Sequence, residues 1–113
     1  MKIKFLEAAQ AELDEAVSFY NREFSGLGDR FLQEVIAAID RIVQFPDAWH
    51  PLSRNTRRCQ TKSFPYGLIY SKFDDEILIL SVSNLHRDPT HWKDRVSQKI
   101  RDNLQPVLIS MDA

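Results

Sequence analysis

The feature that most constrains this chain is the run RRCQTKSFPYGLIYSKFDDEILILSVS at residues 57–83, which predicts three successive β-strands. Pro65 cannot donate to a sheet ladder and Gly67 tolerates a bend, so FPYG marks the corner between the first two strands. The polar DDE at residues 74–76 marks the hairpin turn before the third strand. That third strand contains ILIL, which is apolar on both faces. We therefore expect a central strand, covered by helices on one side and by another segment, such as the tail, on the other.

Two amphipathic helices are predicted upstream of these strands. Apolar residues recur at helical spacing from Ala9 to Phe24, and again from Leu32 to Val43. The SGLG segment between the two stretches provides the chain reversal, and Pro46 ends the second helix. Because so short a connection makes two helices antiparallel neighbours, we expect a helical hairpin whose apolar surface covers one face of the sheet.

The two ends of the chain complete the predicted order. KIKFL at residues 2–6 alternates and predicts a short first strand. After the last strand, the apolar residues Trp92, Val96, Ile100 and Leu104 recur every four positions, which predicts a third amphipathic helix. The apolar residues 107–109 suggest that the end of the tail is buried, in cis or in a dimer.

The predicted fold class is therefore α+β, with the order β-α-α-β-β-β, a mainly antiparallel sheet packed on the helical hairpin, and a C-terminal helical tail. We expect one domain over residues 1–113, with a core at about 2–93 and a tail at 94–113.

Composition and length exclude several classes of protein. A chain of 113 residues with 43% apolar and 27% charged residues is typical of one folded domain. No apolar stretch approaches the roughly 18 residues of a membrane span. The acidic N-terminal region is unlike a signal peptide, so a cytoplasmic location without a membrane partner is expected. The single Cys59 cannot form an internal disulfide, and we expect it to be a buried structural cysteine.

Charge is distributed unevenly along the chain. The net charge is only −1, yet residues 50–73 contain five basic residues and no acidic one. Such a region can attract an acidic or phosphate-bearing partner, and the alternative is a solvated sheet face. Because side chains alternate along a strand, Arg58 and Lys62 share one face, and Cys59 lies on the other.

The segment SNLHRDPTHW at residues 83–92 concentrates residues that can carry chemistry. His86 and His91 can transfer protons near neutral pH, and Arg87 can stabilise negative charge. The structural alternative is a clasp that fastens the tail to the sheet, in which a proline fixes a turn and a tryptophan covers the core.

The helical hairpin ending in RIVQFPDAWHPL, followed by the strand run and HRDPTHW, resembles the RelE/ParE superfamily of bacterial toxins. The resemblance is to its plasmid-stabilisation ParE-like branch, which has a basic strand, an F-P-Y corner, an I-x-Y strand and an R-x-P-x-x-W closing segment. That closing segment corresponds here to Arg87, Pro89 and Trp92, and the likeness covers roughly residues 3–93. It implies a RelE/ParE-like fold and a toxin of a type II toxin-antitoxin module that causes growth arrest and is neutralised by a cognate antitoxin.

The superfamily contains two mechanisms. ParE-like members inhibit DNA gyrase by binding it, whereas RelE-like members are endoribonucleases that cut mRNA on the ribosome. Cleavage of RNA needs a base, an acid and cations. Only if the protein is an endoribonuclease are Arg87, His86 and His91 the catalytic candidates. The slightly acidic net charge, FPYGLIY and RDPTHW favour the ParE-like interpretation. Because His86, His91 and Asn84 depart from the residues common in the family, an inactive interaction module is a third alternative.

The ParE-like interpretation predicts a target-binding surface on the strands, with the candidates Arg57, Arg58, Lys62, Tyr66 and Tyr70. For the two tyrosines, packing between strands is the alternative role. No cofactor and no metal site are expected, because His86 and His91 have only Asp88 nearby as a third ligand.

Overall fold

The computed structural model describes residues 1–87, 91–95 and 107–109. Two helices and six strands follow one another within these residues: β1 (Lys2–Phe5), α1 (Glu7–Glu23), α2 (Leu27–Gln44), β2 (His50–Pro51), β3 (Arg57–Gln60), β4 (Tyr66–Phe73), β5 (Glu76–Asn84) and β6 (Val107–Ile109). The predicted α+β class, the helical hairpin and the three-strand meander are confirmed. The short strand β2 was not predicted.

The strands form one sheet in the order β2-β3-β4-β5-β1-β6. Strands β2 to β5 pair antiparallel in sequence order, and β1 pairs parallel with β5. The ILIL strand therefore lies between two neighbours, as its apolar character on both faces predicted. The hairpin between β4 and β5 turns at Asp74, whose φ of 51° is a left-handed conformation that aspartate tolerates.

Two glycines shape the connection between α1 and α2. Gly26 adopts a left-handed φ of 88° just before α2 begins. Helices α1 and α2 approach closely at Gly28, because a Cβ atom there would be 2.1 Å from the carbonyl oxygen of Val17. Its N–H donates to Oδ1 of Asn21 at 2.8 Å. Phe24, which the apolar spacing assigned to the buried helix face, instead lies past the end of α1 and is 72% exposed.

The register of the strands assigns side chains to the two faces of the sheet, because residues directly opposite each other point the same way. One face carries Arg58, Ile69 and Ser81, and the other carries Cys59, Leu68 and Val82. The Sγ atom of Cys59 lies 3.9 Å from the carbonyl oxygen of Ala38 in α2, so the second set faces the helical hairpin. Cys59 is 1% exposed and burial raises the pKa of its thiol, so the predicted structural cysteine is confirmed.

His91, which follows β5 in the chain, lies against the face of the sheet opposite the helices. Ser81 is fully buried on that face, and its Oγ lies 3.1 Å from Nε2 of His91. Trp92 is 4% exposed and belongs to the hydrophobic core, so its predicted structural role is confirmed. Of the tail predicted at residues 94–113, Arg95 contacts this strand through the carbonyl oxygen of Leu80.

The predicted third helix is only partly within the described residues. Residues 93–95 are helical, while Val96, Ile100 and Leu104 lie outside the described part of the chain. Residues 107–109 are not helical but form β6, in which Ile109 pairs with Ile3 of β1. A strand is favoured there because the outer edge of β1 presents backbone N–H and C=O groups that need partners.

Among the helices that the structure describes, none combines the length and the apolar character needed to cross a membrane.

Candidate functional site

A cleft of about 590 Å³ lies between α1 and the ends of β4 and β5. Helix α1 lines one side with Glu12, Glu15, Ala16, Phe19, Tyr20 and Arg22. The sheet and the segment after it line the other side with Tyr66, Val82, Ser83, Asn84, Arg87 and His91. The cleft therefore combines apolar and aromatic walls with charged groups, which is the usual character of a binding site.

Glu12 lines this cleft and bonds to several polar groups beside it. Its Oε1 accepts hydrogen bonds from Oγ of Ser81 and from Nη1 of Arg95, each at 2.9 Å. Nη2 of Arg95 reaches Oε2 at 3.1 Å, which makes the ion pair bidentate. Nε2 of His91 lies 3.3 Å from the same Oε2 and also contacts Oγ of Ser83 at 3.3 Å. We call these five residues, Glu12, Ser81, Ser83, His91 and Arg95, the polar clasp.

The polar clasp occupies the place of a missing strand. Strand β1 pairs with β5 only from Glu76 to Ile79, so the rest of that β5 edge has no neighbouring strand among the described residues. There the N–H of Val82 donates to Oε1 of Glu12 at 2.9 Å, and Nη1 of Arg95 donates to the carbonyl oxygen of Leu80 at 2.9 Å. Side chains thus satisfy backbone groups that a strand would otherwise bond.

The electrostatics of Glu12 follow from these contacts. Burial by itself would raise the pKa of this carboxyl group, because desolvation disfavours the charged form. Hydrogen bonds from Arg95, from the N–H of Val82 and from Ser81, together with the charge of Arg95, outweigh burial and lower the pKa. Glu12 is therefore held as a carboxylate, and it anchors the segment after β5 by charge as well as by hydrogen bonding.

The three catalytic candidates are oriented differently. His86 and Arg87 are exposed on a turn after β5. Asn84 stabilises this turn. Its Oδ1 accepts a hydrogen bond from the N–H of His86 at 2.9 Å, and its backbone carbonyl accepts one from the N–H of Arg87 at 3.1 Å. His91 instead points inward and belongs to the polar clasp. Arg87 and His91 both line the cleft, whereas His86 does not.

Two of the target-binding candidates make contacts within the chain, Tyr70 as a buried side chain and Arg57 as a half-buried one. Tyr70 is 1% exposed, its hydroxyl donates to the carbonyl of Pro46, and burial raises its pKa to about 12. Arg57 lies opposite Tyr70 in the register, and its Nη1 donates to the carbonyl oxygen of Trp49 at 2.8 Å. Tyr70 therefore has the packing role that strand aromatics commonly have, and Arg57 ties the loop before β2 to the sheet.

The other three candidates reach the surface. The stem of Arg58 lies over Gly67, where an added Cβ would be 2.9 Å from its Cγ. The Nε of Arg58 is buried and has no hydrogen-bond partner among the described residues. Lys62 is exposed. The half-buried Tyr66 packs its ring at 4.8 Å from that of Phe31 and lines the cleft. β3 ends at Gln60, so Lys62 lies in the loop that follows and not on the strand face that it was predicted to share with Arg58. Neither Arg58 nor Lys62 lines the cleft, and we call these two residues the basic surface.

Glu12 and Arg95 were not singled out from the sequence. Glu12 was one of several charged positions between the apolar residues of α1, and its partners are 69 to 83 positions away. One local signal was present: the serines of ILILSVS place small hydroxyl groups in an otherwise apolar strand, which indicates a polar partner for a buried position.

Within residues 1–87, 91–95 and 107–109, no three histidine, cysteine, aspartate or glutamate side chains are grouped as metal ligands would be. Asp88, the third ligand considered for His86 and His91, lies outside the described residues.

Comparison with known proteins identifies the family. The family described as ParE toxin of type II toxin-antitoxin system, parDE, matches residues 3–89, which is most of the chain. No curated protein sequence matches. Among solved structures, the chain is similar to the chromosomal ParDE toxin-antitoxin system from P. aeruginosa. The TM-score is 0.67 at 17% identity, covering 76% of this chain and 97% of that one. At this identity, the likeness shows a shared fold.

This chain belongs to the ParE toxin family of type II toxin-antitoxin systems. The resemblance inferred from the FPY corner and the closing segment is confirmed. Trp92 and Arg95, which hold the end of the sheet, lie beyond the matched residues.

Proposed function

We propose that this chain is the toxin of a type II toxin-antitoxin pair, that a cognate antitoxin neutralises it, and that it arrests growth by inhibiting DNA gyrase. The observation that carries the proposal is the match of the ParE toxin family over residues 3–89. The solved ParDE structure of similar fold supports an antitoxin as the partner.

The arrangement of the histidines favours binding over RNA cleavage. A metal-free nuclease needs an acid and a base that converge on one phosphate. Nε2 of His91 is already bonded to Glu12 and to the serines of β5, and His86 lies outside the cleft. The net charge of −1 also argues against docking among ribosomal phosphates. Ribosome-dependent cleavage of mRNA remains the alternative that the experiment below tests.

The basic surface formed by Arg58 and Lys62 is the proposed contact with gyrase. Arg58 lies on the sheet face opposite the helical hairpin, and the exposed Lys62 lies in the loop after β3.

The test is induction of the chain in bacteria, with plasmid supercoiling and primer-extended mRNA followed in the same cells. Gyrase inhibition predicts loss of supercoiling or DNA breaks with intact message. Message cut at codon positions would replace this proposal with the endoribonuclease, and normal growth with neither effect would indicate an inactive interaction module.

A pair of double variants tests the surface. Arg58→Ala with Lys62→Ala should abolish growth arrest at equal expression. Arg54→Ala with Lys72→Ala removes the same charge from the same basic region and should leave growth arrest intact. These control residues are exposed and lie toward the other end of β3. Equal toxicity of both double variants would exclude the Arg58 and Lys62 surface.

A further inference from the structure

We propose that Gly67 is a positioning residue for the contact with the target. Because Gly67 has no side chain, the stem of Arg58 lies across β4 and directs its guanidinium group toward Lys62, where the two cations receive an acidic group of the target. The inference rests on the proposed function for the identity of the target, and on the packing around Gly67 for the position of Arg58.

The space beside Gly67 is occupied by two side chains. A Cβ atom added at Gly67 would lie 2.9 Å from both Cγ and Cδ of Arg58 and 3.2 Å from Cδ2 of Leu85. Gly26 is the one glycine of the three with a positive φ, so the backbone at Gly67 has a conformation that alanine also adopts. Lack of space, and not backbone conformation, therefore makes glycine the residue that fits at this position.

The strand register shows in which direction the stem of Arg58 leans. Arg58 lies opposite Ile69 of β4, whereas Gly67 lies opposite Gln60. The contact between Arg58 and Gly67 is thus a diagonal one between neighbouring strands, within the reach of a long side chain. It directs the stem toward the end of β3 that leads through Gln60 to Lys62. Two cations directed toward one another strengthen the positive potential that an acidic group meets.

Packing holds the side chain of Arg58 in this direction. Its Nε has no hydrogen-bond partner, and its guanidinium group forms no ion pair with any described residue. The neighbouring Arg57 differs, because its Nη1 donates to the carbonyl oxygen of Trp49 at 2.8 Å. Without an ion pair in the chain, Arg58 is available to a carboxylate of the target, which a guanidinium group binds with two parallel hydrogen bonds.

The experiment compares purified full-length variants as inhibitors of DNA supercoiling by purified DNA gyrase. Gly67→Ala adds one methyl group where the stem of Arg58 lies, and a flexible side chain moves away from it while the fold is retained. The concentration that gives half-inhibition should rise about tenfold, as it should for Arg58→Ala, because each variant loses the same charge pair with the target.

A double variant separates positioning from an independent effect. If Gly67 acts through Arg58, then Gly67→Ala should add nothing to the loss caused by Arg58→Ala, because the effects of residues in contact are not additive. A further rise of about tenfold in the double variant, which is what independent sites would give, would overturn the positioning role.

Gly26→Ala is the matched control for stability, because nothing lies within 4 Å of its added Cβ and only the left-handed φ of 88° opposes it. It should melt at a lower temperature than the wild type and keep the wild-type half-inhibition. If Gly67→Ala melts below this control, Gly67→Ala is combined with Leu85→Val, because valine lacks the Cδ2 atom that the new methyl group would meet. The same tenfold loss of inhibition, about that of one charge pair, is then expected.

Nuclear magnetic resonance reports the position of Arg58 independently of gyrase. The Nε of Arg58 is buried, so Gly67→Ala should move its N–H resonance toward that of the exposed Arg54, whereas Gly26→Ala should leave it in place. An Arg58 resonance that Gly67→Ala leaves unchanged would show that the stem is not displaced, and the proposal would be wrong.

The outcomes are distinct for the two proposals. If the wild type inhibits gyrase and Gly67→Ala displaces Arg58 without weakening inhibition, the positioning role fails while gyrase inhibition stands. The same holds if Arg58→Ala inhibits as well as the wild type. If the wild type does not inhibit gyrase, the proposed function fails, and the positioning role fails with it.

Discussion

At the scale of single residues, Gly28 is the position where the absence of a side chain matters most. Alanine there would gain about 1 kcal/mol of helix propensity. Its Cβ would lie 2.1 Å from the backbone oxygen of Val17, and backbone cannot rotate away as a side chain can. Overpacking at such a contact costs about 1–3 kcal/mol or more, so the clash outweighs the propensity.

We therefore predict that Gly28→Ala lowers the free energy of unfolding by about 2 kcal/mol, measured by urea denaturation. Gly26→Ala is the control, because nothing lies within 4 Å of its added Cβ and only the left-handed φ of 88° opposes it, at about 1 kcal/mol. If Gly28→Ala lowers the free energy of unfolding no more than Gly26→Ala does, the two helices can move apart at little cost in free energy.

Glu12 predicts a pH dependence of stability. Its folded pKa lies below the ordinary value of 4.5, so the folded state binds this proton less readily than the unfolded state. The stabilisation is fully present above the unfolded pKa and is lost as the pH falls through the folded pKa. Unfolding free energies measured from pH 7 downward should therefore decline more steeply in the wild type than in Glu12→Gln.

The control for this measurement is Glu15→Gln, one turn along the same helix, because Glu15 has no hydrogen bond or ion pair within the described residues. It should show the wild-type slope. Parallel pH profiles for the wild type and Glu12→Gln would contradict the role of the carboxylate.

At the scale of elements, the edge of β5 is unusual because side chains and not a strand complete it. The N–H of Val82 is bonded to Glu12 and the carbonyl of Leu80 to Arg95. A backbone N–H that loses such a partner exchanges with solvent more readily, since exchange reports local opening.

We predict that Glu12→Ala speeds amide exchange at Val82 by about tenfold, the equivalent of one lost hydrogen bond. Glu12→Gln keeps a carbonyl oxygen that can accept from Val82, so it should retain most of the protection. The β5 amides that bond to β4 are the internal reference, and nuclear magnetic resonance of each variant measures both. Uniform acceleration along β5 would indicate global destabilisation instead of loss of one bond.

At the scale of the whole molecule, the family match ends at residue 89 but the core does not. Trp92 is 4% exposed within the core, and Arg95 and His91 tie the segment to α1 through Glu12. Loss of a buried tryptophan typically costs about 3–5 kcal/mol, a large share of the stability of one small domain.

Truncation after residue 90 should therefore lower the unfolding free energy by at least about 3 kcal/mol. Truncation after residue 95 keeps Trp92 and the polar clasp and removes β6, which pairs with β1 over three residues. We expect it to retain most of the stability, as measured by thermal and urea denaturation. Equal stability of the two truncated chains would show that residues 91–95 contribute little.

The agreement between sequence and structure is greatest where periodicity is local. The apolar spacing of the two helices, the alternation of the strands and the FPYG corner each arise from neighbouring residues, and each was found in the structure. The short edge strands β2 and β6 were not predicted, because the formation of each depends on an edge supplied by another part of the chain.

The site was predicted less completely for the same reason. Arg87 and His91 were identified and do line one cleft, whereas Tyr70 proved to be buried by the sheet that surrounds it. Nothing near Glu12 in the sequence indicates that it bonds Arg95, since their contact depends on how α1 and the segment after β5 are packed.

The amino-acid sequence by itself determined the order of the elements, the antiparallel meander, the helical hairpin and, through its motifs, the toxin family. Those properties depend on spacings of two to four residues and on short motifs. Only the tertiary structure decided which side chains replace the missing strand beside β5, which candidates reach the surface and where the cleft lies. Each of these depends on contacts between residues distant in the chain, and burial and charge pairing exist only after the helices and the sheet have packed together.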